Sequence, residues 1–499
     1  MATSTAVEHV RVVVVGTGFS GLAAAYRLKE RFGERGNDFV VLEKADEVGG
    51  TWRDNVYPGC RCDVPSHLYS FSFAPNPDWS ELFSPQPEIR QYLNDVVDRF
   101  GLRRSIRFGT ALEDAAWDDD LQRWVLRTSA GPLTCDLLVA GTGPFDEPSY
   151  PDIEGLASFD GLVMHSARWD HDVDLGDKRV AVIGTGASAV QFVPHVQKQA
   201  AQLHLFQRTP AWVLPHINRR MTRLEKRLFR RLPLAQKGLR FGIYAGTETV
   251  SVALTRWPIL TNFIRLGALL FLRTQVRDRD KRRKLTPNYR PGCKRLLPSE
   301  GFYAAVDKPN VGVVTDGITA VDGSCVVTAD GRRREVDVII CGTGFKVVDN
   351  PYAEAVRGRD GVTLAKAWAA DGVQAHLGTT VPGFPNLFIL AGPNTGIGHT
   401  SLVVMIESQV RYLLGCLDEL DRRRASTVEV RRGPFEAYNA ELQERMKRTV
   451  WTTGGCKSWY LDDKGRNPTL WPDFTFRFVQ KTWRFDAENY DFGSAVAAS

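Results

Sequence analysis

An α/β fold of two Rossmann-like dinucleotide-binding domains, the second inserted in the first and carrying a helical insertion, is what this 499-residue sequence predicts from three observations. Two Gly-rich turns, GTGFSG at Gly16–Gly21 and GTGASA at Gly184–Ala189, each follow an apolar strand and open a helix. Two further apolar strands, in CDLLVAGTGPF (Cys135–Phe145) and VDVIICGTGF (Val336–Phe345), end in the same GTG turn and sit near the end of each nucleotide-binding half. The length is too great for one ordinary core and suits several domains.

The first unit reads as a strand over Val10–Val15, a helix over Leu22–Arg31 and a strand over Phe39–Leu42 that ends at Glu43. Gly16 allows the tight turn, Gly18 lets backbone amides approach a pyrophosphate, and Gly21 lets the helix pack on the strand. The helix N-terminus then holds the diphosphate. Glu43, 22 residues after Gly21, is placed to accept from ribose hydroxyls. The second unit repeats the pattern with a strand over Arg179–Ile183, a helix over Val190–Lys198 and a strand over Leu203–Phe206. Gly184 and Gly186 take the same roles, and Ala189 replaces the third Gly. This strand ends in QRTP, not in an acid that would repel a 2′-phosphate; Arg208 and Thr209 supply a charged fork and a hydroxyl to bind one. The first nucleotide is therefore expected to lack a ribose phosphate, and the second to be NADPH.

The expected segments are residues 1–150 and 335–499 for the first domain with the C-terminal segment, 151–215 and 286–334 for the second, and 216–285 for the insertion. In the returning part, NLFILAGPNTG brings a strand over Leu387–Leu390 to a Gly-Pro turn, and a helix over Ser401–Leu417 follows. Its positive N-terminal end is a candidate to face an anionic flavin edge. The net charge of +6, with both signs mixed, fits anionic cofactors and gives no single basic face, so nucleic acid is not expected as a partner. Eight cysteines are scattered, Cys60 and Cys62 forming only a CxC, which leads to an expectation of reduced thiols in a cytoplasmic protein with no metal site. The segment 238–284 is rich in apolar and aromatic residues and ends in RDRDKRRK. Its apolar runs fall short of the roughly 20 residues a spanning helix needs. It reads as a helical layer packed on the domain below, with a weak membrane-surface contact as the sharper alternative.

Two further motifs carry a resemblance. GGTWRDNVYPGCRCD places Gly50, Trp52, Tyr57, Pro58, Gly59 and Asp63 on one signature of the type I (class B) Baeyer–Villiger flavin monooxygenases. FDGLVMHSARWD, neither an obvious strand nor a clean amphipathic helix, matches the other through Phe159, Gly161, His165, Trp169 and Asp170. The resemblance runs to CKSWYLDDKGRNPTLWP and is to the shorter branch of that family. It implies FAD in the first unit, held by Gly16, Gly18, Phe19, Ser20, Gly21, Glu43, Lys44, Gly50, Thr51, Trp52, Asp63, Tyr69, Leu112 and Asn394. It implies NADPH contacts at Arg61, Gly184, Thr185, Gly186, Ala187, Ser188, Ala189, Arg208, Thr209 and Lys294. SPQPEI (Ser84–Ile89) resembles a stretch found near the flavin.

The implied reaction is NADPH- and O2-dependent insertion of one oxygen beside a ketone carbonyl, giving an ester or lactone through a C4a-peroxyflavin. A fixed guanidinium suits the anions such a reaction generates, because Arg keeps its proton where Lys does not. Arg295 of PGCKRLLP, oriented by Asp63, is the expected catalytic group, and Lys294 the partner of the 2′-phosphate. His165 is expected to fix the angle of the crossover between domains, with Phe159 and Trp169 as anchors. Two other readings compete: nitrogen or sulfur oxygenation, and an NADPH-flavin reductase or oxidase that transfers no oxygen. The substrate is expected to be a hydrophobic ketone, in a pocket lined by residues 221–285 and the loop 394–401.

Overall fold

The computed structural model of the chain describes residues 7–33, 38–347, 351–462 and 464–494. The first domain begins with β1 (Glu8–Val15), α1 (Phe19–Phe32) and β2 (Phe39–Leu42). The short helix α2 (Thr51–Asp54), α3 (Gln86–Arg99), β3 (Ile106–Arg107), β4 (Leu112–Asp118), β5 (Arg123–Thr128) and β6 (Gly131–Ala140) follow. In β1 and β2 the apolar residues run without alternation because both faces of the sheet are covered. One core forms around Val12, Val14 and Val41 with α1, and the other around Val13, Val40 and Leu138. Ala23, Ala24 and Ala25 keep α1 thin enough to lie close against the long helix Leu402–Arg423.

The second domain is a parallel sheet of β7 (Leu162–His165), β8 (Arg179–Ile183), β9 (Gln202–Phe206), β12 (Val311–Val314) and β16 (Val338–Cys341) in the order β12-β9-β8-β16-β7. Between its members run α4 (Ala187–Gln199) after β8, then β10 (Val213–Pro215) and β11 (Leu297–Ser299), which pair in parallel and clasp the two ends of the insertion. An antiparallel flap of β13 (Ile318–Asp322), β14 (Cys325–Thr328) and β15 (Arg333–Glu335) precedes β16. The insertion itself is α5 (Arg223–Arg231), α6 (Pro233–Ser251) and α7 (Thr261–Gln275), with a short basic helix, Arg279–Lys284, after them.

After β16 the chain re-enters the first sheet through β17 (Val356–Arg357) beside β4 and β18 (Leu387–Ile389) beside β6. The order there is β17-β4-β5-β6-β1-β2-β3, with β6 split: residues 131–135 pair antiparallel with β5, and residues 138–140 pair parallel with β18. The boundary expected at residue 335 is thus corrected, since β16 sits between β8 and β7 and the crossover follows Cys341. Both crossovers run side by side. Pro148 bridges Phe345, Ser149 N donates to Gly344 O at 2.9 Å and Lys346 N donates to Glu147 O at 3.0 Å.

A second correction concerns the thiols. Cys293 and Cys456, 163 residues apart, form a disulfide, while Cys60, Cys62, Cys135, Cys325, Cys341 and Cys416 are free. The sequence carries no spacing cue for that pair, because only the return of the C-terminal segment to the loop at Pro291–Arg295 brings the two together. No helix among the described residues is long and apolar enough to cross a membrane.

Candidate active site

A cleft of about 1430 Å³ runs between the two domains. Pockets for one small ligand hold roughly 300–1,000 Å³, so this volume suits two dinucleotides meeting end to end. The two Gly-rich turns face each other across it. Gly16 has φ +95°, a conformation open to Gly, and the helix α1 starts at once behind it. A Cβ on Gly21 would lie 1.8 Å from Gly16 O. Gly21 and Ala189 do not line the cleft; they are the packing positions behind the turns, whereas Gly16, Gly18, Phe19, Ser20, Gly184, Thr185, Gly186, Ala187 and Ser188 line it.

The residues at the strand ends divide by charge. Glu43 is buried and accepts from Thr17 N at 3.0 Å and Thr17 Oγ1 at 2.5 Å, and pairs with Arg53 Nη1 at 2.8 Å. Burial works against the Arg53 cation, but its bonds to Asp54 and the field of Glu43 hold its pKa above the ordinary value. Lys44 reaches Asp146 at 2.8 Å across the rim. On the opposite wall Arg208, Thr209 and Lys294 line the cleft, and neither Arg208 nor Lys294 has an ion-pair partner among the described residues. Burial, and then the nearby Arg208, lower the Lys294 pKa. Two neighbouring cations, neither ion-paired to an acid among the described residues, could hold a dianionic phosphate.

The stretch Gly49–Asp63 crosses from one domain to the other. Trp52 Nε1 donates to Tyr69 Oη at 3.0 Å, and Gln86 within SPQPEI bonds the Trp52 carbonyl from behind. Phe19 packs edge-on against Tyr69 at 4.8 Å. Further along, Tyr57 Oη donates to Gln191 Oε1 at 3.0 Å and Gln191 Nε2 donates to Arg61 O at 3.1 Å, which ties the stretch to α4 of the second domain. Gly59 has φ +80°, and a Cβ there would meet Gln191 O at 2.8 Å. The side chain of Arg61 pairs with Glu81 at 3.0 Å. Leu112 and Thr51 complete the first wall.

The stretch ends on Asp63, and Arg295 meets it there. Nε and Nη2 of Arg295 donate to the two carboxylate oxygens at 2.6 Å each, a bidentate fork. Burial alone would raise Asp63, but the guanidinium overrides this and holds it below the ordinary carboxylate value. The Asp63 charge in turn raises Arg295. Arg295 is deep in the fold yet its side chain is 38% exposed, toward the cleft. Tyr460, whose hydroxyl is raised by burial, lies against Arg295, and the Cys293–Cys456 disulfide holds the segment that carries Tyr460 to the loop of Lys294 and Arg295.

FDGLVMHSARWD proves to be an edge strand and its exit. Residues Leu162–His165 are β7, and a 3-10 turn follows at Ser166–Arg168. A Cβ on Gly161 would lie 2.3 Å from Asp337 O, and Trp169 packs on Phe192 of α4 at 5.3 Å. Phe159 packs on the second domain's outer core, and Asp170 accepts from Asp172 N at 2.9 Å. His165 is fully buried; its Nδ1 accepts from Ala167 N at 3.1 Å, and its ring lies between Tyr150 at 5.2 Å and Phe345 at 6.0 Å. Burial pushes its pKa down to about 4, which keeps it neutral. Those two aromatic rings belong to the two crossovers and line the cleft, whereas no residue of the motif named above does.

Two site expectations are corrected. Asn394 does not line the cleft: its Nδ2 donates to Asn467 O at 2.7 Å and Leu470 O at 3.0 Å, which ties the loop to the C-terminal segment. Its neighbours Thr395, Gly396, Ile397 and Thr400 do line it, as do Leu402, Val403 and Ile406 of the following helix. Nor does any described residue of 216–285 line it; the insertion stands behind the wall, where Leu254 crowds Gly292 and Gly398. Arg53, Gln191 and Tyr460 are site positions to which no motif points. Arg53 and Gln191 sit at unspecified places between motif residues, and Tyr460 lies in the C-terminal tail, whose partner no local pattern names.

The groove fits its implied cofactors. A Cβ on Gly18 would meet only Gly50 Cα, at 3.9 Å, so the first turn leaves an open cradle between two glycines. Comparison with known proteins shows the family and its two cofactors. A family model described as an NAD(P)-binding Rossmann-like domain matches residues 14–85. A Baeyer-Villiger monooxygenase of Streptomyces coelicolor is 51% identical over 97% of this chain and 92% of its own length. One of Pseudomonas aeruginosa is 47% identical over 100% of this chain and 94% of its own. The solved structure of OTEMO in complex with FAD and NADP superposes with a TM-score of 0.86 at 25% identity, over 97% of this chain and 99% of that one. With FAD assigned to the first unit and NADPH to the second, the chain belongs to the Baeyer–Villiger monooxygenases.

Proposed function

We propose that Arg295, aimed by Asp63, is the charge that carries oxygen insertion beside the carbonyl of an apolar ketone in this chain. The supporting observation is the two-pronged 2.6 Å pair, placed where the walls of the two nucleotide units converge. FAD and NADPH, when bound, supply the oxygen-activating and hydride chemistry. The chain's own part is position and field. Arg208 and Lys294 hold the 2′-phosphate, Glu43 accepts from a ribose, and the N-terminus of α1 faces a diphosphate. Arg295 stabilises negative charge on oxygen, both on the attacking atom and on the carbonyl oxygen as it becomes an alkoxide. Asp63 is depressed by its partner, so the pair persists at neutral pH and is lost only as pH falls through that lowered value. Apolar cleft residues such as Ile397, Leu402 and Ile406 favour a hydrophobic substrate.

A panel of ketones and thioethers with NADPH, read by mass, tests the reading. Esters or lactones from ketones are expected; sulfoxide as the sole product would replace ketone chemistry with heteroatom oxygenation, and peroxide with no organic product would remove oxygen transfer. Arg295→Ala is expected to cut ester formation by about a hundredfold or more while NADPH oxidation stays measurable. Undiminished ester yield would remove the assignment.

A further inference from the structure

The insertion turns large apolar side chains outward. Helix α6 buries Gln236, Glu248 and Ser251, and exposes Leu234 (71%) and Phe241 (69%). A helix on a water-facing surface normally does the reverse. Two of these inward groups, Gln236 and Glu248, are hydrogen-bonded to the domain below or to their own helix. Gln236 donates to Asn76 O at 2.7 Å, and Glu248 accepts from Tyr244 Oη at 2.6 Å and from Phe476 N at 3.0 Å. Arg240 donates to the carbonyls of His67 at 2.7 Å and Ser70 at 2.9 Å. So the helix is docked through this face, and its apolar outer face is a second surface. Gly238, Gly242 and Gly246 lie along that outer stripe, and a Cβ on any of them would meet nothing within 4 Å.

The outward apolar exposure continues past the corner. Trp257 is 63% exposed, and α7 presents Phe263 (76%) and Leu266 (70%) while it buries Ala268 and Leu272. Eleven of the twenty large apolar side chains exposed among the described residues fall between Ile217 and Leu270. Scattered singly, such residues need no explanation; gathered on one insertion they mark an interaction surface.

Charge selects the partner. From Lys226 to Arg277 the sequence has ten Lys and Arg against one acid, Glu248, and that acid is turned inward beside His399 at 3.3 Å. Arg227, Arg231, Lys237, Arg265 and Arg273 are exposed and make no ion pair among the described residues. Two copies of this face brought together would set cation against cation. An anionic surface would be attracted to the same cations while accepting the apolar side chains between them. With no helix fit to cross a bilayer among the described residues, the geometry is that of an element lying on one. Trp257 suits the headgroup layer, where an amphipathic ring is favoured.

We infer that α5–α7 form a docking face for an anionic lipid bilayer. This goes beyond the oxygenation reading and does not depend on it. The test is flotation of the purified flavin-loaded enzyme with vesicles of phosphatidylcholine alone and of phosphatidylcholine with about 30% phosphatidylglycerol, at low and high salt. Recovery with the anionic vesicles at low salt is expected to exceed recovery with neutral ones by about tenfold, and to fall at high salt. A triple variant, Phe241→Ser, Phe263→Ser and Leu266→Ser, is expected to lose at least about tenfold in binding. Its flavin content and turnover on a ketone should equal the parent's, because these side chains stand free in solvent. Arg227→Glu with Lys237→Glu is expected to abolish the preference for anionic lipid. Equal failure to float with either vesicle would overturn the inference. So would a concentration-dependent dimer that the Ser variant dissolves in the absence of any vesicle binding, which would assign the face to a second copy.

Discussion

The two nucleotide units share a plan and differ at two places, and the differences say what each holds. In the first, Gly21 is forced: a Cβ would lie 1.8 Å from the backbone oxygen of Gly16. In the second, Ala189 occupies the matching position, fully buried, and its Cβ faces Gly342 of the other GTG turn. At the strand ends the contrast is electrostatic. Glu43 is a buried acid already held by Thr17 and Arg53, and its charge would repel a phosphate. Arg208 stands beside Lys294 without an acid. The difference teaches that a shared plan can carry opposite charge at its strand ends, an acid in the first unit and, in the second, cations without an ion-pair partner among the described residues. This is the feature that would separate a ribose without a 2′-phosphate from one that carries it.

The largest effect expected from this comparison is that of Gly21→Ala. A methyl group against a fixed carbonyl cannot be relieved by a rotamer, so the cost is expected to reach about 3 kcal/mol or more. The purified variant should come off the column colourless, or with sharply reduced flavin absorbance. Full flavin content would mean that the turn has slack that its geometry conceals.

Next in size is the pair at the second strand end. Arg208→Ala removes a charge-assisted contact worth about 1.5–3 kcal/mol, which is about ten- to a hundredfold in KM for NADPH. Arg208→Ala with Lys294→Ala should go further. The KM for NADH, which has no 2′-phosphate, should hardly change in either. Parallel losses with both nucleotides would break the contrast between the units, because the two cations would then be serving something common to both.

How much of the fold and site is legible in the sequence follows the same contrast. β1, β2 and β8 are apolar runs that end at a glycine turn or a charged residue, so their place follows from local pattern. β16 has the same kind of run, but such a run does not say which sheet it joins, and the expected boundary at residue 335 falls one strand early. β7 escapes because an edge strand of four residues with Leu162 turned outward has neither alternation nor a long apolar run. The pairing of Asp63 with Arg295 spans 232 residues, and no local rule reaches that far; only the family resemblance points to it. The Cys293–Cys456 disulfide and the inward turn of Asn394 have no such support, since both depend on where the C-terminal segment lands. Composition marks the insertion as helical, but not which face it hides, because α6 buries polar residues and exposes apolar ones, the reverse of the usual amphipathic pattern.

A smaller effect is expected at the joint between the units. His165 holds the two crossovers through Tyr150 and Phe345 without entering the cleft. His165→Ala should leave flavin bound and loosen the angle between the domains. About two- to tenfold more NADPH should then be consumed per ester formed. A neutral side chain is what the site uses, so coupling in the parent should not change as pH crosses the ordinary histidine range near about 6.5. A coupling ratio that stayed at the parent's value in the variant would reduce His165 to packing.

The smallest effect expected is the reverse of the first, Ala189→Gly. Here a methyl group that lies in a tolerated place is removed from the first turn of α4. The loss is a little packing against Gly342 and some helix propensity, together about 0.5–1 kcal/mol. NADPH affinity should be retained, and thermal unfolding should move by no more than about 4 °C. The value of the experiment lies in its pairing with Gly21→Ala. If the two turns were equivalent, adding a methyl group to one and removing it from the other would be comparable perturbations. The 1.8 Å approach at Gly21 says that they are not, since the first turn closes its helix directly on its own glycine. A large loss of NADPH binding in Ala189→Gly would show instead that this methyl group helps to set the second turn, and the asymmetry between the units would have to be sought at the strand ends alone.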